Sequence, residues 1–169
     1  IYTSGSTGQP KGVMLQHFSL TNQLCWTQKT YPLHQGDCIL QRIPISFDVS
    51  VWELLGWCFT GARLHLLEPG GEKDPLVILN TIEQHQITTL MFAPSLLQLV
   101  LQYLQQTSTS FNISSLKQIF SLGEALPPAL VSRCHQLLLA KSQAILVNIY
   151  GPSEATIDTL HYQCDDPNP

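Results

Sequence analysis

Two spacings of apolar residues alternate along the chain. Short runs that are apolar at almost every position lie at residues 38–43 (CILQRI), 62–67 (ARLHLL), 88–93 (TTLMFA), 116–122 (LKQIFSL) and 144–150 (AILVNIY). Such runs suit strands covered on both faces. Between them lie segments whose apolar positions recur every three or four residues, the helical spacing: residues 14–30, 48–59, 74–85, 95–106 and 127–139. Asp74 followed by Pro75 reads as a helix start, and a proline also opens the segment from residue 127. Asp48 or Ser50 is the expected N-cap of the segment it begins. Residues 107–115 (TSTSFNISS) form a polar loop, and residues 156–163 a further strand. This β–α alternation predicts an α/β fold with a mostly parallel sheet flanked by helices. In open sheets of that kind, ligands bind beyond the carboxyl ends of the strands. The points to watch are therefore the residues after 43, 93, 122 and 150.

The opening run, IYTSGSTGQPKG, fits neither spacing. It is expected to be neither strand nor helix. Its glycines let backbone N–H groups turn toward one point, Thr3, Ser4, Ser6 and Thr7 add hydroxyl donors, and Lys11 adds a positive charge. Together they make a cradle for phosphate oxygens. A flexible linker has no use for the fixed kink and placed cation of Pro10-Lys11. The spacing is not that of a GxxxxGK[ST] phosphate loop, because Lys11 lies between Pro10 and Gly12.

Composition narrows the field further. The chain has 169 residues, 44 % of them hydrophobic, with a net charge of −4. That suits one domain or a piece of a larger one, and gives no basic footprint for nucleic acid or membrane surface. No apolar run approaches the roughly 20 residues of a membrane span. The five cysteines are widely spaced with no CxxC pair, which argues for reduced thiols and a cytoplasmic setting. The six histidines are scattered, and each is taken as structural or superficial. A start on Ile1, with the distinctive loop at once, and the tail CDDPNP lead to the expectation that the chain is part of a longer protein.

Three stretches in order carry a family resemblance. YTSGSTGQPKG resembles the phosphate loop of the adenylate-forming enzymes: acyl-CoA synthetases, firefly-type luciferases and the adenylation domains of nonribosomal peptide synthetases. ISFDVSVWE (45–53) resembles the aromatic-Asp-x-Ser segment of the amino-acid-activating branch, and NIYGPSEAT (148–156) its Asn-x-Tyr-Gly-Pro-Thr-Glu segment. The resemblance covers essentially the whole chain. It implies a partial AMP-binding adenylation domain over residues 1–169, part of the large N-terminal core, without the small C-terminal subdomain that carries the catalytic lysine.

By that resemblance, Thr3, Ser4, Gly5, Ser6, Thr7, Gly8 and Lys11 hold the β- and γ-phosphates of ATP. Gly123, Glu124 and Ala125 lie along the nucleotide. Asn148 and Tyr150 contact adenine, Gly151 shapes the turn after them, and Ser153 reaches the α-phosphate. Glu154 binds Mg²⁺. Asp48 pairs with the substrate's α-ammonium, whereas acyl-CoA synthetases tend to show Phe-His at this place. The side-chain pocket falls on Val49, Trp52, Met91, Phe120, Leu122, Ile149, Ile157 and Asp158. Asp48, Val49, Trp52, Ile157 and Asp158 resemble a serine-type pocket, and Asp158 is the one polar partner for a hydroxyl. Met91 and Leu122 depart from that pattern and equally suit plain core packing. A small or medium α-amino acid is the implied substrate. The implied partners are carrier and condensation domains, the former bearing phosphopantetheine. A fragment of an acyl-CoA synthetase or acid–thiol ligase, or a non-catalytic nucleotide-binding fragment, stays open at this level. In isolation the chain is expected to be poorly soluble and to have little adenylation activity.

Overall fold

A computed structural model describes residues 1–3 and 8–166. Eight strands and five α-helices follow in the order β1 (Tyr2–Thr3), β2 (Lys11–Gly12), α1 (His17–Thr30), β3 (Cys38–Gln41), α2 (Ser50–Leu55), β4 (Arg63–Leu66), α3 (Pro75–His85), β5 (Thr89–Phe92), α4 (Pro94–Gln106), β6 (Gln118–Ser121), α5 (Pro128–Leu137), β7 (Ile145–Tyr150) and β8 (Leu160–Gln163). Six strands make one sheet in the order β4-β3-β5-β6-β7-β8. Every pairing in it is parallel except β7 with β8. Only residues 151–159 separate those two, too few for the crossover that a parallel return requires.

Strand alternation divides the core into two layers. Leu40, Leu90, Phe92, Ile119 and Leu146 face one side and pack on α3, α4 and α5. Ile39, Met91, Phe120, Val147 and Ile149 face the other, against Leu24 of α1 and Trp52 of α2. The register Met91–Phe120–Val147 puts large side chains abreast on that second face. The sheet is thus apolar on both faces, as its uniform runs predict.

The start signals at two helices hold. Asp74 accepts a hydrogen bond from the Leu76 N–H at 2.9 Å, with Pro75 in the first turn. Replacing Asp74 with alanine is expected to cost about 1 kcal/mol of stability, read from the shift of a urea unfolding midpoint; an unchanged midpoint would show that the cap contributes nothing. Pro128 opens α5 in the same way.

Two expectations are corrected. The opening run is not wholly irregular, because Tyr2–Thr3 pairs antiparallel with Lys11–Gly12 and closes the loop at its root. Within it, Ser4, Gly5, Ser6 and Thr7 lie outside the described residues. The helix expected at 48–59 is shorter, Ser50–Leu55, and neither expected residue caps it through its side chain. Ser50 donates its hydroxyl to the Phe47 carbonyl at 2.7 Å instead, and Asp48 Oδ1 accepts the neighbouring Val49 N–H at 2.9 Å.

Candidate active site

The segments leaving β3, β5 and β6 converge at the carboxyl edge of the sheet. Arg42, Ile43, Pro44, Ala93, Leu122, Gly123 and Glu124 line an open cleft there with Phe47 and Val49, of about 290 Å³. A second cleft has a volume of about 130 Å³. Its walls include Asp48, Val51, Leu20, His17, Thr156, Ile157 and Ile1. Asp48 and Val49, adjacent in sequence, thus line different clefts.

Several buried polar atoms around this edge have no hydrogen-bond partner among the described residues: Asp48 Oδ2, Glu53 Oε1, Ser121 Oγ and His161 Nδ1. Burying a polar atom unpaired is costly, most of all on a carboxylate. Asp48 uses Oδ1 on its own backbone and leaves Oδ2 facing nothing.

The segment carrying Asp48 is held from below by Glu53. This side chain is fully buried in α2, and its Oε2 accepts the N–H groups of Arg42 at 3.2 Å and Ile43 at 3.0 Å. Burial pushes its carboxyl up to about 7, although both backbone donors and Arg42 pull it down. Burial likewise lowers the Arg42 guanidinium. Arg42 Nε donates to the Met91 carbonyl at 2.8 Å, and its head lies 5.2 Å over the Phe92 ring. The exit of β3 is so tied to α2 and β5, and the 44–49 turn leaves it in one direction.

Gly123 has φ +86°, a left-handed conformation natural to glycine, so the chain turns sharply as it leaves β6. The Glu124 carboxylate is already engaged. It accepts the Ser95 N–H at 3.0 Å and the Ser95 hydroxyl at 2.8 Å, pinning this turn to the start of α4. What the turn offers a ligand is therefore its backbone and the Ala125 methyl. Asn148 sits half-buried on β7, and Tyr150 ends that strand with its side chain exposed. A flat aromatic face left open at a strand's end is a stacking platform. Ser153 and Glu154 follow in a single turn of 3₁₀-helix, Glu154 exposed.

The sequence matches known proteins along its whole length. A model of the AMP-binding enzyme family matches residues 1–169. The chain belongs to the AMP-binding enzyme family. It is 48 % identical over 164 residues to zwittermicin A synthase ZmaJ of Bacillus cereus, covering 97 % of this chain and 31 % of that one. It is 45 % identical over 165 residues to tyrocidine synthase 3 of Brevibacillus parabrevis, covering 97 % and 2 %. The chain thus spans less than a third of either relative. Among solved structures, the adenylation domain AlmE of Vibrio cholerae, in complex with glycyl-adenosine-5'-phosphate, superposes with a TM-score of 0.83 at 30 % identity, over 96 % of this chain and 29 % of that one. The fold is accordingly that of the adenylation domains, a mostly parallel sheet flanked by helices.

Within this AMP-binding fold, the residues expected to form the side-chain pocket do come together. Trp52, Met91, Phe120, Leu122, Ile149 and Ile157 belong to one buried cluster, with Val49 packed against it. Phe120 is its centre, with Trp52 and Tyr31 edge-on at 5.6 and 5.3 Å between ring centroids. Met91 and Phe120 are almost entirely buried, so they act first as core. Asp158 is buried, and its Oδ1 meets both Gln23 and His161, while its Oδ2 has no hydrogen-bond partner among the described residues. Thr3 and Lys11 lie in the paired root of the opening loop, and Gly8 there has φ +80°.

Sequence order alone assigns no role to Gln23, Arg42, Glu53 or His161. Glu53 had a signal, a carboxylate amid Val51, Trp52, Leu54 and Leu55. Gln23 had none, because its partner Asp158 is 135 residues away.

Proposed function

We propose that this chain is the nucleotide- and amino-acid-binding part of an ATP-dependent enzyme that activates an α-amino acid. The reaction joins a substrate carboxylate oxygen to the α-phosphorus of ATP and breaks the bond to the β-phosphate bridge, giving aminoacyl-AMP and pyrophosphate. The observation that carries this reading is Asp48 Oδ2, a buried carboxylate oxygen without a partner among the described residues, on a residue that lines a cleft. An α-ammonium supplies the missing donor and charge. An acid lacking an amino group leaves it unmet.

The remaining assignments follow the chemistry of each position. Two anions must meet, so the enzyme's part is alignment and neutralisation of charge. Thr3, Ser4, Gly5, Ser6, Thr7, Gly8 and Lys11 would hold the triphosphate tail. The Gly123–Ala125 turn would flank the nucleoside, with Tyr150 stacked on adenine, Asn148 beside it, Gly151 allowing the close turn and Ser153 at the α-phosphate. Glu154, an exposed carboxylate outside the core, fits a hard cation that is otherwise held by phosphate oxygens and water. Bound there, Mg²⁺ would neutralise charge on the phosphates. No lysine of this chain is assigned to catalysis, and by family resemblance that residue belongs to the small subdomain. The aminoacyl group would then pass to the phosphopantetheine thiol of a carrier domain.

That AlmE is described with glycyl-adenosine-5'-phosphate, an aminoacyl adenylate, supports the reading. The test is ATP–pyrophosphate exchange by the full-length enzyme that carries this chain, across a panel of α-amino acids and the same acids without the amino group. Exchange is expected with at least one small or medium amino acid and not with its des-amino analogue. Equal exchange with both would overturn it and favour an acyl-CoA synthetase.

A further inference from the structure

Helix α4 begins directly after β5, and its N-cap is Ala93, whose methyl cannot cap it. Pro94 carries no N–H, and the Leu96 and Leu97 N–H groups both donate to the Ala93 carbonyl at 3.0 Å. The Ser95 N–H has no backbone acceptor among the described residues, as happens to amides in the first turn of a helix. Its acceptor comes from 29 residues away. Glu124 Oε2 accepts the Ser95 N–H at 3.0 Å, and Glu124 Oε1 accepts the Ser95 hydroxyl at 2.8 Å. Both carboxylate oxygens are thus committed to one residue. A negative charge at a helix N-terminus is also favoured by the helix dipole.

On the Glu124 side of this contact, little else holds the chain. Leu122 is fixed just past β6, its N–H donating to the Phe92 carbonyl at 3.0 Å. Beyond it, no backbone N–H or C=O of residues 123–126 is hydrogen-bonded among the described residues. A Cβ on Gly123 would meet nothing within 4 Å, so this glycine serves the turn's conformation and not a close approach. Leu126 packs against the core where the chain goes on to α5. The Glu124 side chain is therefore the polar tie that fixes the middle of the turn. Gly123 and Glu124 line the same cleft as Ala93, so the unpaired backbone groups of the turn stand beside an open space.

We infer that Ser95 and Glu124 are positioning residues for the nucleotide: their paired hydrogen bonds hold the 123–125 turn in the conformation that presents its backbone to ATP. This rests on the reading above, in which that turn flanks the nucleoside. A turn held in advance need not be ordered by the ligand. A turn released from α4 must be ordered on binding, and that cost appears as lost affinity. The effect is directed at one substrate. Leu122 keeps its own bond to Phe92, and the segment carrying Asp48 leaves a strand end tied by Glu53, so the amino-acid site does not depend on the Ser95–Glu124 contact.

The experiment uses the full-length enzyme. It measures the calorimetric Kd of a non-hydrolysable ATP analogue with Mg²⁺, the amino-acid KM in ATP–pyrophosphate exchange, and the urea midpoint. Ser95→Ala removes the hydroxyl and keeps the N–H. It is expected to weaken analogue binding about tenfold and leave the amino-acid KM within about twofold. Glu124→Ala is expected to weaken binding at least as much, and the double variant no more than Glu124→Ala alone, because both break one contact. Ser95→Thr keeps the hydroxyl and is expected to bind within about twofold of the wild type. An unchanged Kd in Ser95→Ala overturns the inference even where the urea midpoint falls, because the contact is then only a helix cap. Weaker binding in Glu124→Ala but not in Ser95→Ala overturns it too, since Glu124 then acts on the nucleotide directly. So does an additive loss in the double variant, or an amino-acid KM raised as much as the Kd. A wild type that exchanges with no amino acid removes the amino-acid reading, while the analogue affinities still decide this inference; a wild type that binds no analogue removes both.

Discussion

Asp48→Ala is expected to lower amino-acid-dependent exchange by roughly 10²–10⁴-fold while changing the ATP KM little. The magnitude follows from the pair that is lost. A buried ion pair broken on one side costs about 3–5 kcal/mol, and each 1.36 kcal/mol is a factor of about ten. On the proposed reading, the charge that would be stranded is the substrate's ammonium, beside a cleft whose lining includes Val51, Leu20 and Ile157. Asp48→Asn sharpens the result. The amide oxygen can still accept the Val49 N–H, so the local turn is kept and only the charge is removed. If the asparagine variant activated amino acids as well as the wild type, ammonium pairing would be wrong, even with the family membership intact.

The second large effect concerns pH. Stability is expected to fall by about 3 kcal/mol between pH 4.5 and 7 on account of Glu53 alone. Its carboxyl is raised from 4.5 in the unfolded chain to about 7 in the fold, mainly because it is buried. Between those values the folded chain keeps a proton that the unfolded chain has released. The contribution is fully present below 4.5, and it is lost as pH rises through about 7. Glu53→Gln cannot ionise, retains an acceptor for the Arg42 and Ile43 N–H groups, and should flatten this slope. The measurement is urea unfolding of both proteins at pH 5 and pH 8. A wild type as stable at pH 8 as at pH 5 would mean that Glu53 is ionised throughout in the native state. The consequence for function is local. Glu53 fixes the exit of β3, and the segment carrying Asp48 begins there.

The sheet was legible in the sequence because buried parallel strands leave a plain mark, a run such as TTLMF with no polar face. The helix ends of α3 and α5 were legible because Asp74-Pro75 and Pro127-Pro128 act on the backbone directly next to them. The short α2 was not. Its apolar residues continue to Phe59, yet the helix stops at Leu55, and beyond it Trp57 and Thr60 bond their own neighbouring carbonyls in successive turns. The paired root of the opening loop was hidden for another reason: Tyr2–Thr3 and Lys11–Gly12 are too short for any periodicity. Asp48 stood out as a lone carboxylate in an apolar stretch, and the structure adds the fact that one of its oxygens is unpaired among the described residues. The place of Asp158 was not legible. Its sequence neighbours say nothing of Gln23, which reaches it from a helix at the other end of the chain, and the 156–157 backbone that brings it inward is unfavourable for the residues found there. Local propensity could only have argued against that turn.

The most direct measurement is a structure of the full-length enzyme with a non-hydrolysable aminoacyl-adenylate bound. The α-nitrogen is expected about 3 Å from Asp48 Oδ2, with the adenine against Tyr150 and the Gly123–Ala125 turn. An adenylate bound elsewhere, or an α-nitrogen held by other groups while Asp48 Oδ2 stays unpaired, would contradict ammonium pairing at this site.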